Sequence, residues 1–246
     1  MFEVAALDAD TNLSFPASFG WLVQDDVTPP TLTMKKPAAD ALLRKRTVVV
    51  QWSGTDSGSG LARFEVMQKD GLSGSAVLVQ SNLSSSLTLN GAPAGTYCFQ
   101  VTAVDREDNS KSGAERCAAV PLDDSALVYT GPVTPVTPDG ALDSTATRMT
   151  GAGSTSFTFT GRNVGVLFRK GPDLGKVRVS LDDGAGKIVD LYGANPKAVW
   201  WKKAFASSGP HTVVIAWTGQ RNSGSSASDV ALDGVAAIAE SAPQPS

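Results

Sequence analysis

Cys98-Phe99-Gln100-Val101-Thr102-Ala103-Val104-Asp105-Arg106-Glu107-Asp108-Asn109, closed by Cys117, is the stretch on which the reading of this chain turns. Phe99, Val101 and Ala103 alternate with Gln100 and Thr102. That period of two belongs to a β-strand, whose successive side chains point to opposite faces. The acidic segment 105–109 then reads as a turn, because Asp and Asn bond neighbouring backbone groups and favour bends. The same pattern opens the chain. Phe2, Val4, Ala6, Asp8 and Asn12 match Phe99, Val101, Ala103, Asp105 and Asn109 one for one, and both copies run on to a paired acid, Asp25-Asp26 and Asp123-Asp124. The first copy has no cysteine on its return strand, so a Cys98–Cys117 link would be an optional staple on a unit defined by the apolar and acidic positions.

The 246 residues suffice for one large or two ordinary domains. Charged residues make up 18% and the net charge is −3, with acids and bases mixed along the chain. This argues against a nucleic-acid partner, which needs a basic face. The apolar runs are short, such as 47–50, far below the roughly 20 residues needed to span a bilayer. The N-terminus lacks the basic region, apolar region and cleavage site of a signal peptide. It starts partway through a repeat, so the expectation is the C-terminal part of a longer protein with upstream domains.

Two cysteines can be a disulfide, two buried thiols or part of a metal site. Four zinc-type ligands would need histidines, and the chain has one, His211. Cys98 and Cys117 sit on strands expected to neighbour each other in a hairpin, within bridging reach. They read as a disulfide, which implies an oxidising compartment outside the cytosol.

Residues 1–26 read as the last hairpin of a truncated repeat, marginal by itself, followed by the Pro29-Pro30 linker. In 27–122, strands are expected at 31–34, 47–53, 64–68, 76–79, 86–89, 97–104 and 115–120, with Trp52 packing between sheets. Short alternating strands without helical period indicate an antiparallel β-sandwich. The motifs W-S-G-x-D-x-G-S-G-L-A-x-F-E-V (52–66) and P-A-G-T-Y-C-F-x-V-x-A-x-D-x-x-x-N (93–109) resemble the fibronectin type III-like and immunoglobulin-like repeats of secreted bacterial proteins. That resemblance implies a spacer or adhesive module rather than an enzyme.

Residues 123–140 read as a Pro/Thr-rich linker and first strand. Beyond them, strands are expected at 145–150, 156–160, 164–169, 176–181, 187–192, 198–205, 211–217 and 230–238. This suggests a second sandwich, a jelly roll over 141–240, and a disordered tail at 241–246. F-T-F-T-G-x-x-V-x-V (157–166), V-x-V-S-L-D (177–182), G-x-H-T-V-x-I (209–215) and D-V-A-L-D-G-V (229–235) are similar to the galactose-binding-like jelly-roll modules of bacterial secreted and cell-wall proteins. The resemblance implies a fold more than a ligand. The whole therefore reads as all-β: an Ig-like/fibronectin type III-like sandwich, a jelly roll and an orphan N-terminal hairpin.

Chemistry is sparse. A Ser-His-Asp hydrolase would have to use His211, but no nucleophile motif accompanies it. It reads instead as a strand-start histidine bonded to a backbone carbonyl. Asp123-Asp124 and Asp182-Asp183 read as turn acids rather than a glycosidase pair, lacking the aromatic surroundings that raise a carboxyl pKa. Asp8, Asp10, Asp105 and Asp108, near Asp25 and Asp26, offer hard oxygen ligands for a structural calcium ion at the junctions, although neither loop is an EF-hand. On the strand 198–205, Trp201 shares parity with Val199 and Phe205, so it reads as core. Trp200 then reads as exposed, able to stack on a sugar, with Arg169, Lys170, Lys202 or Tyr192 as hydrogen-bonding partners. An edge strand guarded by lysines is the competing reading. The expectation is a noncatalytic extracellular or cell-surface pair of modules binding carbohydrate or a cell-envelope ligand, or else purely structural spacers for an upstream enzyme or adhesin.

Overall fold

The computed structural model describes residues 25–246, Asp10 and the strands Phe2–Val4 and Ala17–Phe19. Apart from two 3₁₀ turns, every regular element among the described residues is a strand, so the fold is all-β. No helix among the described residues is long and apolar enough to cross a membrane. The two N-terminal strands pair antiparallel, with Phe2 opposite Phe19, as a two-stranded sheet.

The first sandwich faces a three-stranded sheet (Thr33–Lys36, Thr47–Ser53, Ser86–Asn90) against a six-stranded one. The second sheet runs Ala41–Leu42, Arg116–Ala119, Thr96–Asp105, Leu61–Asp70, Val77–Asn82, with Ser110–Ser112 on the Thr96–Asp105 strand. Alternation puts Val48, Val50 and Trp52 of one sheet onto Phe64, Val66, Phe99 and Val101 of the other. Cys98 lies directly opposite Cys117, and the disulfide is formed. The 105–109 turn holds itself together: Asp105 Oδ1 accepts the N–H groups of Glu107 (2.9 Å) and Asn109 (2.8 Å).

The second sandwich is one curled ten-stranded sheet. The expected strands 156–160 and 164–169 are a single strand, Ser154–Lys170, and 198–205 and 211–217 are a single strand, Lys197–Trp217. Glycines that suggested turns lie at a bulge instead: Gly161 pairs with Gly209 and Asn163 with Ala204. There the sheet bends over its own core of Phe157, Phe168, Val177, Ile215, Leu232 and Val235. Two further expectations are corrected. The 123–140 stretch is folded into this sheet rather than free: Leu122–Asp123 pairs with Val230–Ala239, Tyr129–Thr130 with Ser154–Lys170, and Val133–Val136 with Ala146–Met149. The tail is also anchored, because Phe157 and Thr158 still offer an unpaired strand edge. Gln244–Pro245 fills it, and the Ser246 N–H reaches the Ser156 carbonyl at 3.1 Å.

The two sandwiches meet on the outer face of the curled sheet. Leu42, Cys98, Cys117 and Ala119 of the first bury Ala236 and Ile238 of the second. Thr96 Oγ1 donates to the Ala237 carbonyl (2.9 Å) and accepts from Ala239 N–H (3.0 Å). Arg162 grips the Asp40 carboxylate with two bonds of 2.9 and 2.7 Å. Gly165 lies here because a Cβ would stand 2.5 Å from Leu42 and 2.8 Å from Trp200.

Candidate functional site

Trp200 does not stand exposed. Together with Leu72 it packs on the disulfide cluster between the sandwiches, and its indole nitrogen is buried without a partner. Strand parity correctly sends Trp201 to the core and Trp200 to the opposite face, but the first sandwich covers that face. Lys202 is exposed on the same side as Trp200, opposite Gly165, whereas Arg169 is opposite Ala198. The offset of four positions from Ala198 to Lys202 separates the two side chains by about 13 Å along the strand. Arg169 is buried, with Nη1 on Asp233 (3.3 Å) and Nη2 on the Asp139 carbonyl (2.7 Å). Tyr192 is half-buried against the backbone at Gly224. The residues expected to share one ligand site with Trp200 are therefore not brought together around it.

A different feature gathers at the loop end of the second sandwich. The ends of the Ser154–Lys170, Ala146–Met149 and Val230–Ala239 strands meet the loops 136–138, 171–174 and 196 around an open cleft of about 310 Å³. Its polar groups are Arg148, Arg169, Lys170 and Asp173, and its apolar ones include Pro138, Pro172, Leu174 and Pro196. Arg148 is fixed by two carboxylates, with Nε to Asp229 (2.7 Å) and Nη2 to Asp173 (2.6 Å). Prolines fix φ and stiffen the rim. The sequence pointed to Arg169 and Lys170 but not to the rest, because the lining is scattered from 136 to 231 and no local motif marks it.

Beneath this end, the acids read as turn residues are buried. Asp124 is 1% exposed and its Oδ2 accepts from Thr147, while its Oδ1 and Asp123 Oδ2 have no hydrogen-bond partner. Burial pushes the Asp124 carboxyl up to about 6. Burial also raises Asp233, against the pull of the Leu142 N–H and Arg169. The turn itself is present, since Asp123 caps the 3₁₀ turn Asp124–Ala126 and accepts the Ser125 N–H at 3.0 Å, but the acids in it are buried. Leu122–Asp123 pairs into the sheet, and this draws both acids under it. The Asp182-Asp183 pair does form a turn, both residues with positive φ. Its neighbour His211 is not at a strand start bonded to a carbonyl. It lies inside Lys197–Trp217, stacks on Phe205 at 3.6 Å, and its Nδ1 is 2.7 Å from Asp182 Oδ2. The Thr212 N–H and His211 hold the Asp182 carboxyl below the usual range.

Of the expected calcium ligands, Asp8 lies outside the described residues and Asp10 is exposed in a turn. Asp108 is exposed and paired with Arg63 at 3.5 Å. Asp105 instead joins two other acids. One carboxylate oxygen from each of Asp26, Asp56 and Asp105 lies within 4.8 Å of the other two. Among the described residues none of the three forms an ion pair, and Asp105 is fully buried. Backbone N–H groups orient the set: Ser59 (2.7 Å) and Thr28 (3.0 Å) on Asp26, and Gly58 and Gly60 on Asp56. The first two hold the Asp26 carboxyl below the usual range. Asn109 Nδ2 ties the set to the linker through the Asp26 carbonyl at 2.7 Å. Gly58 leaves room for it, since a Cβ would overlap the Asp26 carboxylate. Hard oxygen donors at this spacing have the chemistry that suits calcium.

No family model matches the sequence, and no curated protein matches it. Solved structures similar to the chain include an α-L-rhamnosidase from Dictyoglumus thermophilum (12% identity, TM-score 0.41, 84% of this chain and 27% of that one). A Paenibacillus xanthan lyase is similar at 10% identity and TM-score 0.40, over 85% of this chain and 25% of that one. A carbohydrate-binding module of the β-sandwich superfamily is similar at 11% identity and TM-score 0.37, over 86% of this chain and 99% of that one. The chain spans about a quarter of the length of the rhamnosidase and the lyase.

Proposed function

We propose that this chain is a noncatalytic pair of β-sandwich modules of an extracellular or cell-surface protein, the first Ig-like, the second a jelly roll that binds carbohydrate. The loop-end cleft carries this reading. It is open, stiff-rimmed and of single-sugar size, with fixed guanidinium and carboxylate groups beside apolar proline and leucine surface, the mixture that sugar hydroxyls and C–H faces require. Amide chemical-shift mapping during titration with a panel of monosaccharides tests it. Shifts are expected at 136, 137, 171, 173, 174 and 231; shifts only around Trp200 and Lys202, or none, would refute the cleft as the site.

The spacer reading has its own support in the junction, where the disulfide cluster, Thr96 and the Arg162–Asp40 pair lock two modules together. It predicts no saccharide binding at all. Within either reading we place a structural calcium ion at Asp26, Asp56 and Asp105, where it would brace the linker entering the first sandwich.

A further inference from the structure

Three cations and one carboxylate line the loop-end cleft, and two of the cations are already held. Arg148 is bridged to Asp229 and Asp173, and Arg169 to Asp233 and the Asp139 carbonyl. Asp229 and Asp233 do not line the cleft themselves. Lys170 is different. The residue is half-buried at the rim, and its ammonium makes no hydrogen bond or ion pair with any described residue. Its stem lies beside the backbone at Gly193, near the Pro196 loop. The neighbouring Asp190 carboxylate, which Lys176 and Lys170 favour by charge, takes its hydrogen bonds from the Tyr192 N–H (2.9 Å) and the Asn222 amide (2.9 Å) instead. The cleft therefore presents one uncommitted ammonium next to an apolar shelf of Pro172 and Leu174.

We infer that the cleft selects sugars that carry a carboxylate, hexuronate residues, with the ring on the proline shelf and the carboxylate on Lys170. This deepens the carbohydrate reading and rests on it. A hexose presents Lys170 with hydroxyls only, whereas a uronate makes a charge-assisted hydrogen bond, shorter and about twice as strong. In the free protein the ammonium acts on Asp190 only through charge, without a hydrogen bond or ion pair, so no existing bond has to break on binding. The proline-braced rim is largely formed beforehand, which limits the ordering entropy of binding.

The test titrates the full chain, at low salt, with the methyl glycosides of galacturonate, glucuronate, galactose and glucose. A Lys170→Met variant is run beside it, its fold checked by melting. The expected result is uronide binding about tenfold tighter than the matching neutral glycoside. The preference should weaken with added salt and disappear in Lys170→Met, the uronide losing about tenfold more affinity than the neutral glycoside. Neutral glycosides binding as tightly as uronides, or a preference that survives Lys170→Met, would overturn the inference and leave the carbohydrate reading standing. Binding of neither class overturns both.

Discussion

The strands Ser154–Lys170 and Lys197–Trp217 carry two contrasting regions of the molecule. Midway along them, the outer face shows Gly165, Leu167 and Trp200 and is sealed by the first sandwich and its disulfide. At their ends, Arg169 and Lys170 open into a cleft with Arg148 and Asp173. The aromatic side chain that looks most like a sugar platform holds two modules together. The groups able to bind a polar ligand lie where the loops converge. Apolar side chains on a sheet face invite another sheet, whereas strand ends leave charges and backbone in contact with solvent.

Breaking the sealed region should have the largest effect on stability. Trp200→Ala removes an indole packed on the junction, and a loss of about 2–4 kcal/mol by thermal or urea unfolding is expected. Unchanged stability would show that the junction does not hold the sandwiches together. Next in size is the buried acid below the loop end. Asp124 titrates near its ordinary 3.8 when unfolded and at about 6 when folded. The folded state therefore binds the extra proton, and stability falls as pH rises from about 4 to 6 and stays reduced above it. Asp124→Asn keeps an acceptor for Thr147 and removes the buried charge. It should stabilise by about 2–3 kcal/mol at pH 7, from a shift of roughly two units at 1.36 kcal/mol each, with the gain vanishing near pH 3.5. A gain independent of pH would contradict the burial argument.

At the other end of the molecule, calcium at ten times its dissociation constant should add about 1.4 kcal/mol. Asp105→Asn should abolish that gain, and a wild-type melt indifferent to calcium and chelator would remove the ion from the account. The smallest effect belongs to Asp182. Its depressed carboxyl contributes stability above its unfolded pKa, lost as pH falls through the folded value. Because the side chain is 45% exposed, Asp182→Asn should cost under about 1 kcal/mol at pH 7.

Much of this architecture is readable in the residues. Alternation placed strands at 47–53 and 176–181, where Thr47–Ser53 and Lys176–Leu181 form. The hairpin pattern put Cys98 beside Cys117. Periodicity told which way Trp200 points but not what covers it, since that depends on residues as remote as Leu42 and Leu72. Gly161 and Gly209 signal a break in pattern, and a bulge and a turn use the same residues. The acidic triad could be read only in part. Asp105 stood out in its repeat, whereas Asp26 and Asp56 reach it from a linker and a Gly/Ser loop. The cleft was least legible because its lining spans almost a hundred residues of sequence.

The contrast between the two regions is tested most directly by titrating one saccharide that binds the wild type into two variants, Trp200→Ala and Arg148→Gln, each confirmed as folded by its melting transition. The account predicts that Trp200→Ala melts lower yet binds with affinity within about twofold of wild type, while Arg148→Gln loses about tenfold or more, because Asp173 and Asp229 lose the guanidinium that fixes the cleft. Affinity lost in Trp200→Ala and retained in Arg148→Gln would contradict it.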